Sequence, residues 1–141
     1  MADRDAVVEL VDSLRAEGQE IRTVVHAAGV GQFTSVAEVG LQELDEVAAA
    51  KVGGAKNLDA LFGAELDAFV LFSSVSGVWG SGGQVGYGAA NAFLDGLAEQ
   101  RRARGLAATS VAWGPWAGGG MGASGGSEEV LSRYRPELMG P

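Results

Sequence analysis

Val7, Val8, Val11 and Leu14 recur at helical spacing behind Asp3, a residue suited to cap a helix, and Gly18 follows as a stop. Residues 3–17 are therefore predicted to form an amphipathic helix lying on a core. Residues 21–27 form a short β-branched run ending in Ala-Ala-Gly, the pattern of a buried strand that feeds a tight loop. Between 41 and 62, Leu44, Ala48, Val52, Ala55, Leu58 and Phe62 recur every three or four residues, which predicts a second, longer helix closed by Gly63.

Residues 68–72 are continuously apolar and too short for a helix between their polar flanks, so they are expected to be a strand buried on both faces. After a Gly- and Ser-rich loop, residues 87–104 place Ala90, Leu94 and Leu97 on one helical face ahead of Gly105, and residues 109–113 make a third strand. Strict alternation of helix and strand, with crossovers long enough to return the chain, specifies a parallel sheet covered by helices. The expected class is α/β, a Rossmann-like doubly wound parallel sheet. It is incomplete, because three strands leave two raw edges and no G-x-G-x-x-G follows any of them.

Past Gly114 the chain turns glycine-rich, and residues 128–134 can form only a short helix. A flexible tail and a substrate lid both fit this stretch.

Composition narrows the chemistry. With 141 residues, 47% of them hydrophobic, the chain has enough apolar material for one soluble domain or part of one, and no run is long enough to span a bilayer. The absence of cysteine excludes disulfides and thiolate chemistry, and a single histidine, His26, excludes a multi-histidine metal cluster, so no metal is expected. A formal charge of -8 disfavours nucleic acid and anionic membrane as partners. The first residues are charged and lack an apolar secretory segment, so the expected location is cytoplasmic. The basic run Arg101, Arg102 and Arg104 reads as a solvated helix end, and His26 as a strand-end histidine bonded to backbone.

Ligands of open α/β sheets bind beyond the carboxyl ends of the strands, which here are Ala28-Gly29-Val30, Ser73-Ser74 and Gly114-Pro115-Trp116. Tyr87 and Asn91 lie four apart on one helix and so share a face. Ser74 ends the preceding strand, and Lys51 on the earlier helix can reach the same point. A lysine beside a tyrosine, whose unperturbed phenol has a pKa of about 10, favours the phenolate. Such a tyrosine can protonate a carbonyl oxygen as hydride reaches the carbon, with a serine hydroxyl polarising that oxygen. On the residues alone, caps and solvated side chains are the commoner account of each position, and catalysis the lesser one.

The segments VVHAAGV (24–30), AAAKVGGAKNLD (48–59), LDAFVLFSSVSGVWGSGGQ (66–84), YGAANAFLDGLAEQRRARGL (87–106) and TSVAWGPWAGGGM (109–121) occur together and in order. Through them the chain closely resembles the ketoreductase domains of actinobacterial modular polyketide synthases, within the short-chain dehydrogenase/reductase superfamily. The superfamily at large has Tyr and Lys on one helix and an Asn upstream. Here Asn91 follows Tyr87 and Lys51 is upstream, an exchange that resembles polyketide and fatty acid synthase ketoreductases and counts against a stand-alone dehydrogenase.

The resemblance implies a catalytic tetrad of Lys51, Ser74, Tyr87 and Asn91. It places Ala27, Ala28, Gly29, Lys51, Ser73, Tyr87, Gly114, Pro115 and Trp116 around NADPH. It makes residues 117–135 a glycine-rich lid within a single partial domain, 1–141. The implied reaction is reduction of a β-ketoacyl group carried on the phosphopantetheine arm of an acyl carrier protein.

Gly31, Gln32 and Phe33 stand where B-type ketoreductases carry Leu-Asp-Asp, Trp79 matches the A-type marker, and Gln84 stands where the A2 subtype has His. Trp79, Gln84 and Met121 are the expected stereocontrol residues, and the resemblance implies an A1 enzyme that makes an L-configured β-hydroxyl without epimerising the α-substituent. By the same comparison the chain is expected to lack the family's cofactor-cradling N-terminal half and its last strand and helix. It would then need that half, or neighbouring synthase domains, for activity. A non-catalytic remnant or interaction module, pairing through an exposed sheet edge, is the alternative.

Overall fold

The computed structural model describes residues 2–114. The first helix, α1 (Arg4–Ala16), opens where the Asp3 carboxylate accepts the Ala6 amide at 3.1 Å, and it buries Val7 and Val11. β1 (Thr23–His26) follows. A continuous helical run then comprises α2 (Leu41–Ala48), a π turn (Ala49–Gly53) and α3 (Gly54–Leu61). Next come β2 (Ala68–Ser74), the short α4 (Ser76–Trp79), α5 (Val85–Ala103) and β3 (Thr109–Trp113).

The three strands form one parallel sheet in the order β1-β2-β3. Thr23 pairs with Ala68 through His26 with Leu71, and Val70 pairs with Thr109 through Ser74 with Trp113. The expected α/β class and parallel sheet are thus present. No helix among the described residues is long and apolar enough to cross a membrane.

Core residues of the sheet all lie on one face. Val24, Phe69 and Leu71 pack with Val7 and Val11 of α1, Ala55 and Leu58 of α3, and Leu94, Leu97 and Ala98 of α5. The other face carries Val25, 54% exposed, and Trp113, 38% exposed, whose ring lies 5.4 Å from that of half-buried Phe72. The expectation that residues 68–72 are buried on both faces therefore fails among the described residues. Two crossovers of the same hand that advance in the same direction across a sheet must pass over the same side, so these helices cover one face.

Two further departures have local causes. At the π turn the Gly54 amide bonds back to Ala49 O, five residues away, and the extra residue shifts the helix phase. Val47 and Lys51 are buried where the regular period places Ala48 and Val52 inward.

Arg101, expected at a solvated helix end, is wholly buried. Its Nη1 bonds Asp59 and the Phe62 carbonyl at 3.1 Å, its Nε bonds the Ala107 carbonyl at 3.2 Å, and its guanidinium lies 3.9 Å from the Phe69 ring centroid. A buried guanidinium needs such a set of acceptors, and the chain ends around α3 and α5 supply it. Arg102 and Arg104 are exposed, as expected.

Candidate active site

The site forms where β1 and β2 end and α5 begins. Lys51 leaves the π turn with 3% of its surface exposed and donates from Nζ to the Phe72 carbonyl at 2.8 Å. Its Nζ lies 5.4 Å from the centroid of the Tyr87 ring. Burial pulls the ammonium down from its usual range to about 8, with Asp95 a weaker opposing influence. Phe72 takes only one of the three ammonium donors.

The π turn is held from β1. His26, 1% exposed, places Nε2 at 2.8 Å from the Lys51 carbonyl. A carbonyl only accepts, so Nε2 carries the proton and Nδ1 is bare. Burial keeps this imidazole below its ordinary pKa. The expected strand-end histidine bonded to backbone is thus found, and the backbone it holds is that of Lys51. Gly29, three residues on, lies so close that a Cβ would stand 3.0 Å from Lys51 Cε.

Tyr87 is half-buried in the first turn of α5. Asn91, fully buried one turn later, donates from Nδ2 to the Tyr87 carbonyl at 2.8 Å, and its Oδ1 has no partner among the described residues. The Ser73 hydroxyl is buried and donates to the Asn91 carbonyl at 3.2 Å, so it ties β2 to α5. Ser74 is half-buried at the strand end and its Oγ accepts the Ser76 amide at 3.2 Å, at the start of α4, which packs on α5.

Of the remaining expected site residues, Ala27 and Gly29 are exposed and Ala28 half-buried on the loop after β1. Trp79 is 77% exposed at the end of α4. Gln84 is the residue before α5, and Gly114 is exposed just past β3. Pro115, Trp116 and Met121, with the glycine-rich region 117–135, lie outside the described residues. One buried polar residue was not anticipated as part of this machinery: Gln32 accepts the Gly86 and Tyr87 amides on its Oε1, at 2.7 and 3.2 Å.

Lys51, Tyr87 and Asn91 thus lie together, with Ser74 at the end of β2, on the side where open α/β sheets bind their ligands. Residues 1–118 match the KR domain, and the chain belongs to that family. Polyketide synthase GfsA of Streptomyces halstedii is 60% identical over 123 residues, which are 87% of this chain and 2% of that protein. The structure of PlmKR1, the ketoreductase from the first module of phoslactomycin biosynthesis in Streptomyces sp. HK803, superposes with a TM-score of 0.86 at 55% identity. It covers 94% of this chain and 30% of that one. An A1-type ketoreductase superposes with a TM-score of 0.85 at 47% identity, covering 94% of this chain and 28% of that one. The chain therefore spans a small part of the proteins it matches, and the resemblance seen in the sequence is to ketoreductases of polyketide synthases.

Proposed function

We propose that this chain carries the catalytic residues of an NADPH-dependent ketoreductase that converts a β-ketoacyl group on an acyl carrier protein to a β-hydroxyacyl group. The observation that carries this reading is the buried Lys51 ammonium beside the Tyr87 ring. Burying an ammonium with one hydrogen bond is costly, and a chain keeps such a group where its charge is used.

The residues fit a nicotinamide nucleotide. Lys51 has donors beyond the one given to Phe72, and the Asn91 Oδ1 is a buried acceptor without a partner among the described residues. Gly29 keeps the loop after β1 bare next to the lysine stem. Lys51, Tyr87 and the Ala27-Ala28-Gly29 loop would hold the nicotinamide ribose, with Ser73 shaping the wall behind them and Gly114, Pro115 and Trp116 bordering the ring. Such a cofactor supplies the hydride.

In this reading Tyr87 donates its phenolic proton to the ketone oxygen. The Ser74 hydroxyl, whose oxygen already accepts the Ser76 amide, turns its proton to the same oxygen and stabilises the charge that develops there. The Lys51 ammonium stabilises the phenolate left behind, an interaction strengthened by the low polarity around it. Asn91 fixes the Tyr87 backbone through Nδ2 and offers Oδ1 as an acceptor for the proton relay. Trp79, exposed at the end of α4, and Gln84, the residue before α5, are assigned the steering of the acyl chain, as is Met121, outside the described residues. The similarity to an A1-type enzyme supports an L-configured product without epimerisation.

The test is NADPH consumption by a ketoreductase domain of full family length that carries this chain, with a β-ketoacyl thioester and chiral analysis of the product. An L-hydroxyl is expected, the D-hydroxyl contradicts the stereochemical class, and no consumption contradicts the activity. A second reading, an interaction module, draws on the apolar sheet face at Val25, which is 54% exposed among the described residues. It predicts binding of another protein segment without ketone reduction.

A further inference from the structure

Helix α5 begins without a local cap. Gln84 precedes its first turn and makes no side-chain cap bond, so the opening amides need acceptors from elsewhere. Gln32 provides one. It sits on the loop between β1 and α2, 54 residues before Gly86, with 2% of its surface exposed. Its side-chain oxygen accepts Gly86 N at 2.7 Å and Tyr87 N at 3.2 Å. Both donors are backbone N–H groups, so the atom facing them is the carbonyl oxygen, and the amide orientation follows from the bonding. Gly86 permits the approach: a Cβ there would stand 3.1 Å from that oxygen and 2.7 Å from Leu44 Cδ2.

We propose that Gln32 is the N-terminal cap of α5 and thereby the positioning residue for Tyr87. The inference rests on the ketoreductase reading for its catalytic consequence, and on geometry alone for the cap. The loop that carries Gln32 also carries Gly29, which lies against the Lys51 stem. One segment therefore sets the lysine from one side and the tyrosine from the other. Without the cap the first turn of α5 frays, and that turn is the one holding the Tyr87 ring beside the Lys51 ammonium. Gln32 touches neither substrate nor cofactor in this account; it acts through the backbone of Tyr87.

The test measures amide hydrogen exchange and ketone reduction for Gln32→Leu and Gln32→Glu beside the wild type. Loss of a cap of this kind speeds local exchange by about fivefold to tenfold. That acceleration is expected at Gly86 and Tyr87 in Gln32→Leu, while Leu71 in β2 keeps its protection. Reduction is expected to lose kcat on the order of tenfold to a hundredfold with KM for NADPH little changed, since geometry and not binding is altered. Gln32→Glu retains an acceptor oxygen and is expected to restore both.

Wild-type protection at Gly86 and Tyr87 in Gln32→Leu overturns the cap, and lost protection with wild-type kcat overturns the positioning role. If Gln32→Leu also loses protection at Leu71, Gln32→Glu decides: selective exposure of Gly86 and Tyr87 in that variant contradicts the proposal. A wild-type protein that reduces no ketone sinks the functional reading only, and the exchange pattern still decides the cap.

Discussion

The Lys51 ammonium lies 5.4 Å from the centroid of the Tyr87 ring while bound to the Phe72 carbonyl, so one buried charge joins the π turn, the end of β2 and the first turn of α5. Its consequence for pH is specific. With Lys51 lowered to about 8, the free protein loses that charge as pH rises through about 8. If the ammonium supports the phenolate, kcat/KM for ketone reduction falls across the same range. Stability moves the other way. Between about 8 and the ordinary lysine value of 10.5, the unfolded chain binds more protons than the folded one, so stability rises with pH there. Lys51→Met is expected to flatten both profiles, as read by pH-dependent kinetics and urea unfolding. A wild-type-like rise of stability in that variant would assign the dependence to another group.

His26 sets a second pH window. Its folded pKa is depressed by burial, so the unfolded imidazole protonates first as pH falls, and stability declines below about 6.5. His26→Leu leaves the Lys51 carbonyl without its donor and is expected to cost about 1–3 kcal/mol at neutral pH. His26→Gln keeps an N–H donor and is expected to recover most of that stability while losing the acid dependence. Denaturant unfolding between pH 5 and pH 8, a range of roughly three units around the imidazole pKa, reads both effects.

Much of this is legible in the sequence, and two of the misses share a cause. Alternating helical and apolar runs revealed the parallel α/β sheet because crossover lengths leave few other topologies. Tyr87 and Asn91 were readable as one face because their spacing is local. Gln32 was not, since the residues it bonds lie 54 and 55 positions away and no periodicity links them. Arg101 was misread for the same reason: its carboxylate, Asp59, is 42 residues distant, and three clustered arginines resemble a solvated helix end. The π turn escaped because hydrophobic spacing tolerates a one-residue phase shift.

Arg101 yields a stability prediction independent of function. Arg101→Met removes the donors to the Phe62 and Ala107 carbonyls and one partner of Asp59, and it is expected to destabilise the fold by about 3 kcal/mol. Arg101→Lys is expected to recover little of this, because an ammonium lacks the planar fork and the stacking on Phe69. Thermal unfolding of the two variants checks the ranking.

Gly29 ties the loop after β1 to Lys51. A valine there would stand against Lys51 Cε, which a Cβ alone already approaches to 3.0 Å. Gly29→Val is expected to lower ketone reduction by roughly tenfold or more by displacing the ammonium, with a smaller loss of stability. Equal activity in the variant would mean that the lysine position does not matter to the reaction.

The central claim is that Tyr87 is the acid of a ketone reduction. The most direct test compares wild type and Tyr87→Phe, each in a ketoreductase domain of full family length that carries this chain, in two assays on the same preparations: NADPH binding by calorimetry and NADPH-dependent reduction of a β-ketoacyl thioester. The account predicts that the variant binds NADPH about as well as wild type but loses reduction by on the order of a thousandfold, since the proton donor is gone and the ring remains. Reduction at a rate close to wild type in Tyr87→Phe would contradict the account.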